Sequence, residues 1–376
     1  MDFPTLATLQ KRCTSKWTTY GPDVLPLWIA ESDFPTAPPV LAAIKDMVAK
    51  ECFGYNPAPG ATTLRESVAS FYGRRYGWTP DPARVFWIPD VVRGLSLSIQ
   101  YFTRAGSAVA VPTPSYPPLL ELPGLHGRER LECGLDLESI ERAFAAGAGS
   151  ILLANPYNPL GTVLDREMLT GLVDLAVKYD ARILADEIHA PLVFDGRHLP
   201  VASLSDAAAD RTITVTATSK AFNTAGLKCA QLILSNEADY RVWKGLPLVA
   251  KEGTGTMGIL AAAAAYDHGD PYLDQQLEIL RANRDFVCAQ LPSRIPGIKV
   301  EPPQATYLAW LDFNSAEAGI GSYPAAWLLK HARVALNEGA SFGTGGAGHA
   351  RLNFATSREI LEEAIDRMAG AVERNL

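Results

Sequence analysis

No stretch of this sequence is both long and apolar enough to span a bilayer. The longest alanine-rich run, Gly258 to Tyr266, gives way to Asp267-His268, well short of the ~20 apolar residues a membrane helix needs. It reads as a packed helix. The N-terminus, Met1-Asp2-Phe3-Pro4, lacks the continuous apolar region of a secretory signal, which points to a cytoplasmic chain. Cysteine is scarce: Cys13, Cys52, Cys133, Cys229 and Cys288 are scattered without C-x-x-C spacing, and an odd number cannot all pair within one chain. They are expected to be buried small residues rather than bridges or metal ligands. His126, His198, His268, His331 and His349 show no metal-ligand spacing either, so no metal is expected. Basic charge is also short: 34 Lys and Arg stand against 41 Asp and Glu, a net charge of −7. That leaves no electrostatic footprint for nucleic acid, and the expected partner is a small molecule. No repeat, charged tail or disordered linker stands out.

What is present is enough for more than one core. With 376 residues, 48% of them hydrophobic, the chain exceeds the ~250–300 residues at which a single core stops growing. Two domains are therefore expected. Short β-rich runs recur between helical stretches: Ser107–Val111, Ser150–Ala154, Arg182–Ala185, Thr212–Thr216 and Gln231–Leu234. The alternation predicts an α/β domain around a mostly parallel sheet. Between the second and third runs, Asp165–Lys178 places apolar residues at helical spacing and predicts a crossover helix. Beyond about residue 275 the pattern changes to a long helix over Tyr272–Gln290, a strand-like run at Tyr307–Leu311 and a final helix over Ser357–Glu373. The expected division is a large domain over residues 46–275 and a smaller α+β domain over 276–376, which the segment 1–45 joins.

Chemistry concentrates at the ends of the predicted strands. Arg182–Ala185 runs into Asp186-Glu187-Ile188-His189, and Thr212–Thr216 runs into Thr218-Ser219-Lys220. Open α/β sheets bind ligands beyond the carboxyl ends of their strands, so the lysine and the aspartate could face one cleft. A lysine amine that forms an imine, beside a carboxylate that keeps a pyridine nitrogen protonated, suits pyridoxal 5′-phosphate (PLP). Upstream, Asn155-Pro156-Tyr157-Asn158-Pro159-Leu160-Gly161 makes a stiff polar turn in which Asn158 could donate to a ring oxygen. Tyr116, in Pro114-Ser115-Tyr116-Pro117, offers an aromatic face. Val91-Val92-Arg93-Gly94 precedes a predicted helix whose free amides could receive a phosphate. Arg351 carries a planar pair of donors suited to a carboxylate. The glycine-rich run 339–348 lacks the terminal G-K-[ST] of a phosphate loop; it is expected to turn the backbone beneath Arg351.

In this order the pieces resemble fold-type I PLP enzymes of the aminotransferase class along nearly the whole chain, and most of all the cystathionine β-lyase-like C–S lyases of the MalY/PatB type. The resemblance lies in LPLWIAESDF, FGYNPAPG, TPSYPPL, NPYNPLG, ADEIHAPLVF, TSKAFNTAGLK and RLNFATS. It implies that Lys220 is the Schiff-base lysine, Asp186 the pyridinium partner, Asn158 the ligand of the phenolic oxygen, Tyr116 the stacking ring and Arg351 the clamp on the substrate carboxylate. The phosphate would lie among Val91, Val92, Ser219, Lys228 and Tyr55 of a second subunit, in a homodimer with shared sites. Two residues depart from the pattern. Ala217 replaces a common serine, for which Thr216 or Thr218 could substitute, and Lys228 replaces a common arginine. His189 marks the lyase subgroup, where it either contacts the cofactor or Asp186, or serves as a structural histidine. The activity implied is β-elimination from L-cystathionine or related cysteine S-conjugates. An aminotransferase uses the same parts, and a PLP-binding regulatory protein is a third possibility.

Overall fold

Unbroken runs of branched and apolar residues commit the middle of the chain to strands buried on both faces, because successive side chains in a strand point to opposite sides. The computed structural model describes residues 1, 3–316 and 320–375. Seven strands form the large sheet: β1 (Val85–Ile88), β2 (Ala108–Pro112), β3 (Arg130–Cys133), β4 (Ala148–Ala154), β5 (Arg182–Asp186), β6 (Thr212–Thr216) and β7 (Ala230–Leu234). Their spatial order is β1-β7-β6-β5-β4-β2-β3. Neighbours from β3 to β6 run parallel, while β7 is antiparallel to both β6 and β1. The predicted α/β architecture with a mostly parallel sheet is what the chain adopts.

The alternation sorts side chains between two cores. Val109, Val111, Leu152, Leu184, Ile213 and Val215 pack with the helix Val91–Phe102 on one face. Ala110, Ile151, Leu153, Ile183 and Ala185 pack on the other with the crossover helix Arg166–Lys178, whose N-terminus Asp165 caps. The first of these helices lies very close to the sheet. A Cβ at Gly94 would stand 2.3 Å from Ile88 Cδ1 and 2.7 Å from Val215 Cγ1, so only glycine allows this approach.

The C-terminal part begins with the helix Asp270–Arg294, which runs without a break past residue 275. Four short strands follow: β8 (Lys299–Val300), β9 (Leu308–Asp312), β10 (Asn337–Glu338) and β11 (His349–Asn353). They form an antiparallel sheet in the order β10-β11-β9-β8. The helix Arg358–Glu373 closes the chain, capped by Ser357. The N-terminal segment returns to this part: Leu25–Pro26 pairs in parallel with Val334–Ala335. Its segment 28–34 is anchored by a fully buried ion pair, Lys16 Nζ to Asp33 Oδ2 at 2.7 Å, to which Trp17 Nε1 adds a hydrogen bond at 2.9 Å on Asp33 Oδ1.

One expectation about cysteine is corrected. Only Cys229 is buried; Cys13 is exposed and the other three are intermediate, though all five are free thiols. Cys13 lies in the link between two four-residue helices, too slight a structure to cover it. Among the described residues, no helix is long and apolar enough to cross a membrane.

Candidate active site

Every parallel strand delivers its last residues to the same edge of the large sheet, and a cavity of about 370 Å³ opens there. β5 ends on Asp186, and the loop after β6 carries Ser219 and Lys220. The turn after β4 carries Asn158, and the segment after β2 carries Tyr116. β1, which runs in the same direction because it and β6 are both antiparallel to β7, contributes from its carboxyl end too, through Asp90 and the first turn of the helix Val91–Phe102. The cavity thus gathers nine predicted site residues: Val91, Val92, Tyr116, Asn158, Asp186, His189, Ser219, Lys220 and Lys228.

Two predicted residues lie elsewhere. Arg351, on β11, does not line the cavity wall but adjoins it by donating Nη1 to Asn158 Oδ1 at 3.1 Å. Tyr55 is fully exposed and lines a separate surface concavity with Arg65, Trp87 and Trp243. The suggested hydroxyl substitutes for Ala217 are also corrected. Thr218 Oγ1 is paired with Thr224 Oγ1 at 2.8 Å, Thr216 is turned toward the carbonyl of Glu187, and neither lines the cavity. Ser219 does. Val91 is already the first residue of its helix, because Asp90 caps it by accepting from the Arg93 amide at 2.8 Å.

The electrostatics follow from enclosure. Asp186 is 8% exposed, and burial pushes its carboxyl up to about 7, against the Ile188 amide and the Lys220 charge, which pull it down. Lys220 is half-buried as a whole with its amine end enclosed. Loss of water, and then the Arg351 charge, bring the amine down to about 8, with Asp186 opposing. The Lys220 amine donates to the Ala30 carbonyl at 2.8 Å, and Tyr307 donates its hydroxyl to the same oxygen at 2.9 Å. His189 is buried and held well below the usual imidazole range by burial and by the Lys220 and Arg351 charges, so it is neutral.

Arg351 is 3% exposed and meets only neutral acceptors: Asn158 Oδ1, Asn337 Oδ1 and the Trp28 carbonyl. Its Nε has no partner, and the guanidinium centre stands 5.1 Å from the centroid of the Phe342 ring beneath it. Phe342 belongs to the glycine-rich run, which is closed by the tight approach of Gly339 to the Gly346 and His349 carbonyls.

These groups fit pyridoxal phosphate on the structure's own terms. The cavity joins an aromatic face, an amide, a buried carboxylate, a lysine amine and a helix N-terminus beside a hydroxyl and a second lysine. Two buried nitrogens, His189 Nδ1 and Arg351 Nε, lack partners that a ligand would supply. Among the described residues, no group of three or more His, Cys, Asp or Glu is arranged to hold a metal ion. The sequence reading missed Asp90, Ala30, Tyr307 and Asn337. Only Asp90, just before the Val91-Val92 pair, carried a local signal, as the acidic residue preferred at a helix start.

Known proteins are similar to the chain from end to end. The aminotransferase class I and II profile matches residues 22–368. A cystathionine β-lyase of Corynebacterium glutamicum is 51% identical over 375 residues, covering 99% of this chain and 100% of that protein. The cystathionine β-lyase PatB of Bacillus subtilis is 31% identical over 95% of this chain and 96% of its own. A crystal structure from Corynebacterium diphtheriae, assigned as a PLP-dependent β-cystathionase, superposes with a TM-score of 0.97 at 52% identity over 100% of both chains.

Proposed function

The chain belongs to the aminotransferase class I and II family, and from that premise we infer a PLP-dependent carbon–sulfur β-lyase that cleaves L-cystathionine or related cysteine S-conjugates to a thiol, pyruvate and ammonia. The observation that carries the reaction type is the full-length similarity to a cystathionine β-lyase at 51% identity.

PLP, when bound, supplies a carbonyl carbon for the substrate amine and a ring that accepts the electron pair left at Cα. The residues of this chain divide the remaining work. Lys220 would hold the cofactor between turnovers and, once released, act as general base on the Cα proton; an amine brought down to about 8 is partly neutral near neutral pH and can accept it. Asp186, a buried carboxylate at a strand end, would keep the ring nitrogen protonated. Asn158 accepts from Arg351 through Oδ1, which leaves its amide N–H groups to donate to the ring oxygen. Tyr116 would cover the ring face. Ser219, Lys228 and the amides of Val91 and Val92 would hold the phosphate.

Arg351 is suited to the substrate α-carboxylate because its buried charge has only neutral partners here. Fixing that carboxylate aligns the Cα–H bond for removal. The pair of electrons from Cα–H then expels the β-sulfur as a thiolate, which takes up a proton, and water converts the three-carbon remainder to pyruvate and ammonia. The test is to incubate the protein with cystathionine and PLP without any 2-oxo acid. Equal amounts of pyruvate and thiol are expected, whereas products that appear only with a 2-oxo acid would assign transamination instead.

The assembly completes the reading. The active unit is a two-fold homodimer in which Tyr55 reaches the partner's phosphate. Full exposure of Tyr55 and 62% exposure of Phe53, both outside their own subunit's cofactor cavity, support this. Residues 1–45 join the small C-terminal domain, in keeping with the Leu25–Pro26 pairing to Val334–Ala335. A division at residue 275 falls inside the helix Asp270–Arg294, which then serves as the rigid link to the large domain. Five free thiols suit the reducing cytoplasm.

A further inference from the structure

The phosphate end of the cavity contains an anion of the protein's own. Asp90 lines the cavity next to Val91 and Val92, and both of its oxygens are committed. Oδ1 accepts from the Arg93 amide at 2.8 Å, and Oδ2 accepts from Lys228 Nζ at 2.9 Å. Lys228 is itself held in place. Its backbone is left-handed, at φ 52°, and its carbonyl accepts from the Gly255 amide at 2.9 Å. Gly255 and Gly258 lie so close to the Leu227 carbonyl that a Cβ on either would come within 2.6 Å of it. The lysine that would meet a phosphate therefore stands opposite a carboxylate, and the two charges cancel.

We propose that Asp90 governs how tightly this chain retains its cofactor, by competing with the phosphate of PLP for Lys228 and for the positive end of the helix Val91–Phe102. A helix N-terminus favours an anion through its unpaired amides and its dipole, and Asp90 already occupies that position as its cap. A phosphate that arrives must share Lys228 with Asp90 and sit beside a like charge. The cup accordingly trades retention for exchange: phosphate is recognised, but held less firmly than the lysine and the helix end alone would hold it. This inference rests on the reading of the cavity as the PLP site.

The test separates the phosphate's contribution from that of the ring. The full-length protein, freed of cofactor, is titrated by absorbance with PLP and with pyridoxal, which lacks the phosphate. Asp90→Asn removes the charge and keeps a helix cap, and Asp90→Ser does the same with a different side chain. Both variants should bind PLP more tightly, by on the order of tenfold at most, because the Asp90 side chain is 40% exposed and water screens it. Pyridoxal binding should not change, and loss of PLP on dialysis should slow. Lys228→Gln should weaken PLP and leave pyridoxal alone. If both Asp90 variants bind PLP as the parent does, or more weakly, while Lys228→Gln loses affinity, the competition is refuted and the phosphate site stands. If Lys228→Gln also binds PLP normally, the phosphate lies elsewhere and both ideas fall.

Discussion

Replacing Arg351 by glutamine tests the site at its most costly point. Burial lowers this guanidinium well below its usual range, to about 10, with the neighbouring tyrosines Tyr116 and Tyr307 opposing the change. At 1.36 kcal/mol per unit, keeping the charge there costs roughly 3 kcal/mol, which a substrate carboxylate would return on binding. Glutamine pays no such cost and offers no charge. Arg351→Gln should therefore lower kcat/KM for cystathionine on the order of a hundredfold, since each ~1.4 kcal/mol is tenfold, measured as pyruvate release. The same substitution removes a cation that depresses Lys220. The lysine should rise above about 8, so that less neutral amine is present at pH 7–8 and the acidic limb of PLP uptake moves to higher pH. Thermal stability should hold or increase, because an uncompensated buried charge has gone. A kcat/KM within threefold of the parent would refute the clamp. A clear fall in Tm would show that Arg351 chiefly supports the fold through Asn158, Asn337 and the Trp28 carbonyl.

Four further outcomes are expected. Asp186→Asn should still bind PLP yet lose turnover by on the order of 10²–10³-fold, read as kcat with saturating cofactor; near-parental kcat would remove Asp186 from its role. Borohydride reduction of the PLP-loaded protein followed by peptide mapping should place the label on Lys220, and a label on another lysine would reassign the site. Co-expressing Tyr55→Ala with Lys220→Ala should recover about a quarter of parental activity if sites are shared across a two-fold dimer, whereas only the residual activity of the Tyr55→Ala subunits would remain if each site is built by one chain. Lys16→Met should destabilise the protein by about 3–5 kcal/mol in denaturant titration, since Asp33 is left buried without its cation; a change below about 1 kcal/mol would show that Trp17 and backbone donors suffice.

The central strands were legible in the sequence because burial on both faces writes them as unbroken apolar runs: β4 is buried along its whole length. The edges were not. β3, Arg130–Cys133, is half-exposed and polar, and its place is fixed by parallel pairing to β2 rather than by its own composition. The four short strands of the C-terminal sheet owe their existence to pairing as well. In the site, Lys220, Asp186 and Asn158 could be read because each follows a strand in the order the fold demands. The partners that tune them could not be read, since they arrive from far along the chain. Lys228 meets Asp90 across 138 positions and Arg351 meets Asn158 across 193. Thr216 and Thr218 carry the expected hydroxyl but point away from the cavity, an orientation the sequence does not encode locally.

The anchoring of the segment 28–34 bears on when the site is assembled. Lys16 and Trp17 hold it locally at Asp33, and Asn223 bonds to Ser32, but its other bonds come from far along the chain. Asn353 donates to the Ile29 and Glu31 carbonyls, the Asp33 amide donates to the Ala355 carbonyl, and Tyr307 shares the Ala30 oxygen with Lys220. Without residues 307–355, the Ala30 carbonyl that orients the Lys220 amine would be held only through the Lys16–Asp33 pair and the Asn223–Ser32 bonds beside it. The orientation of the reactive amine thus depends on residues 307–355, so the lysine should be fully positioned only once the C-terminal part has docked on the segment 28–34.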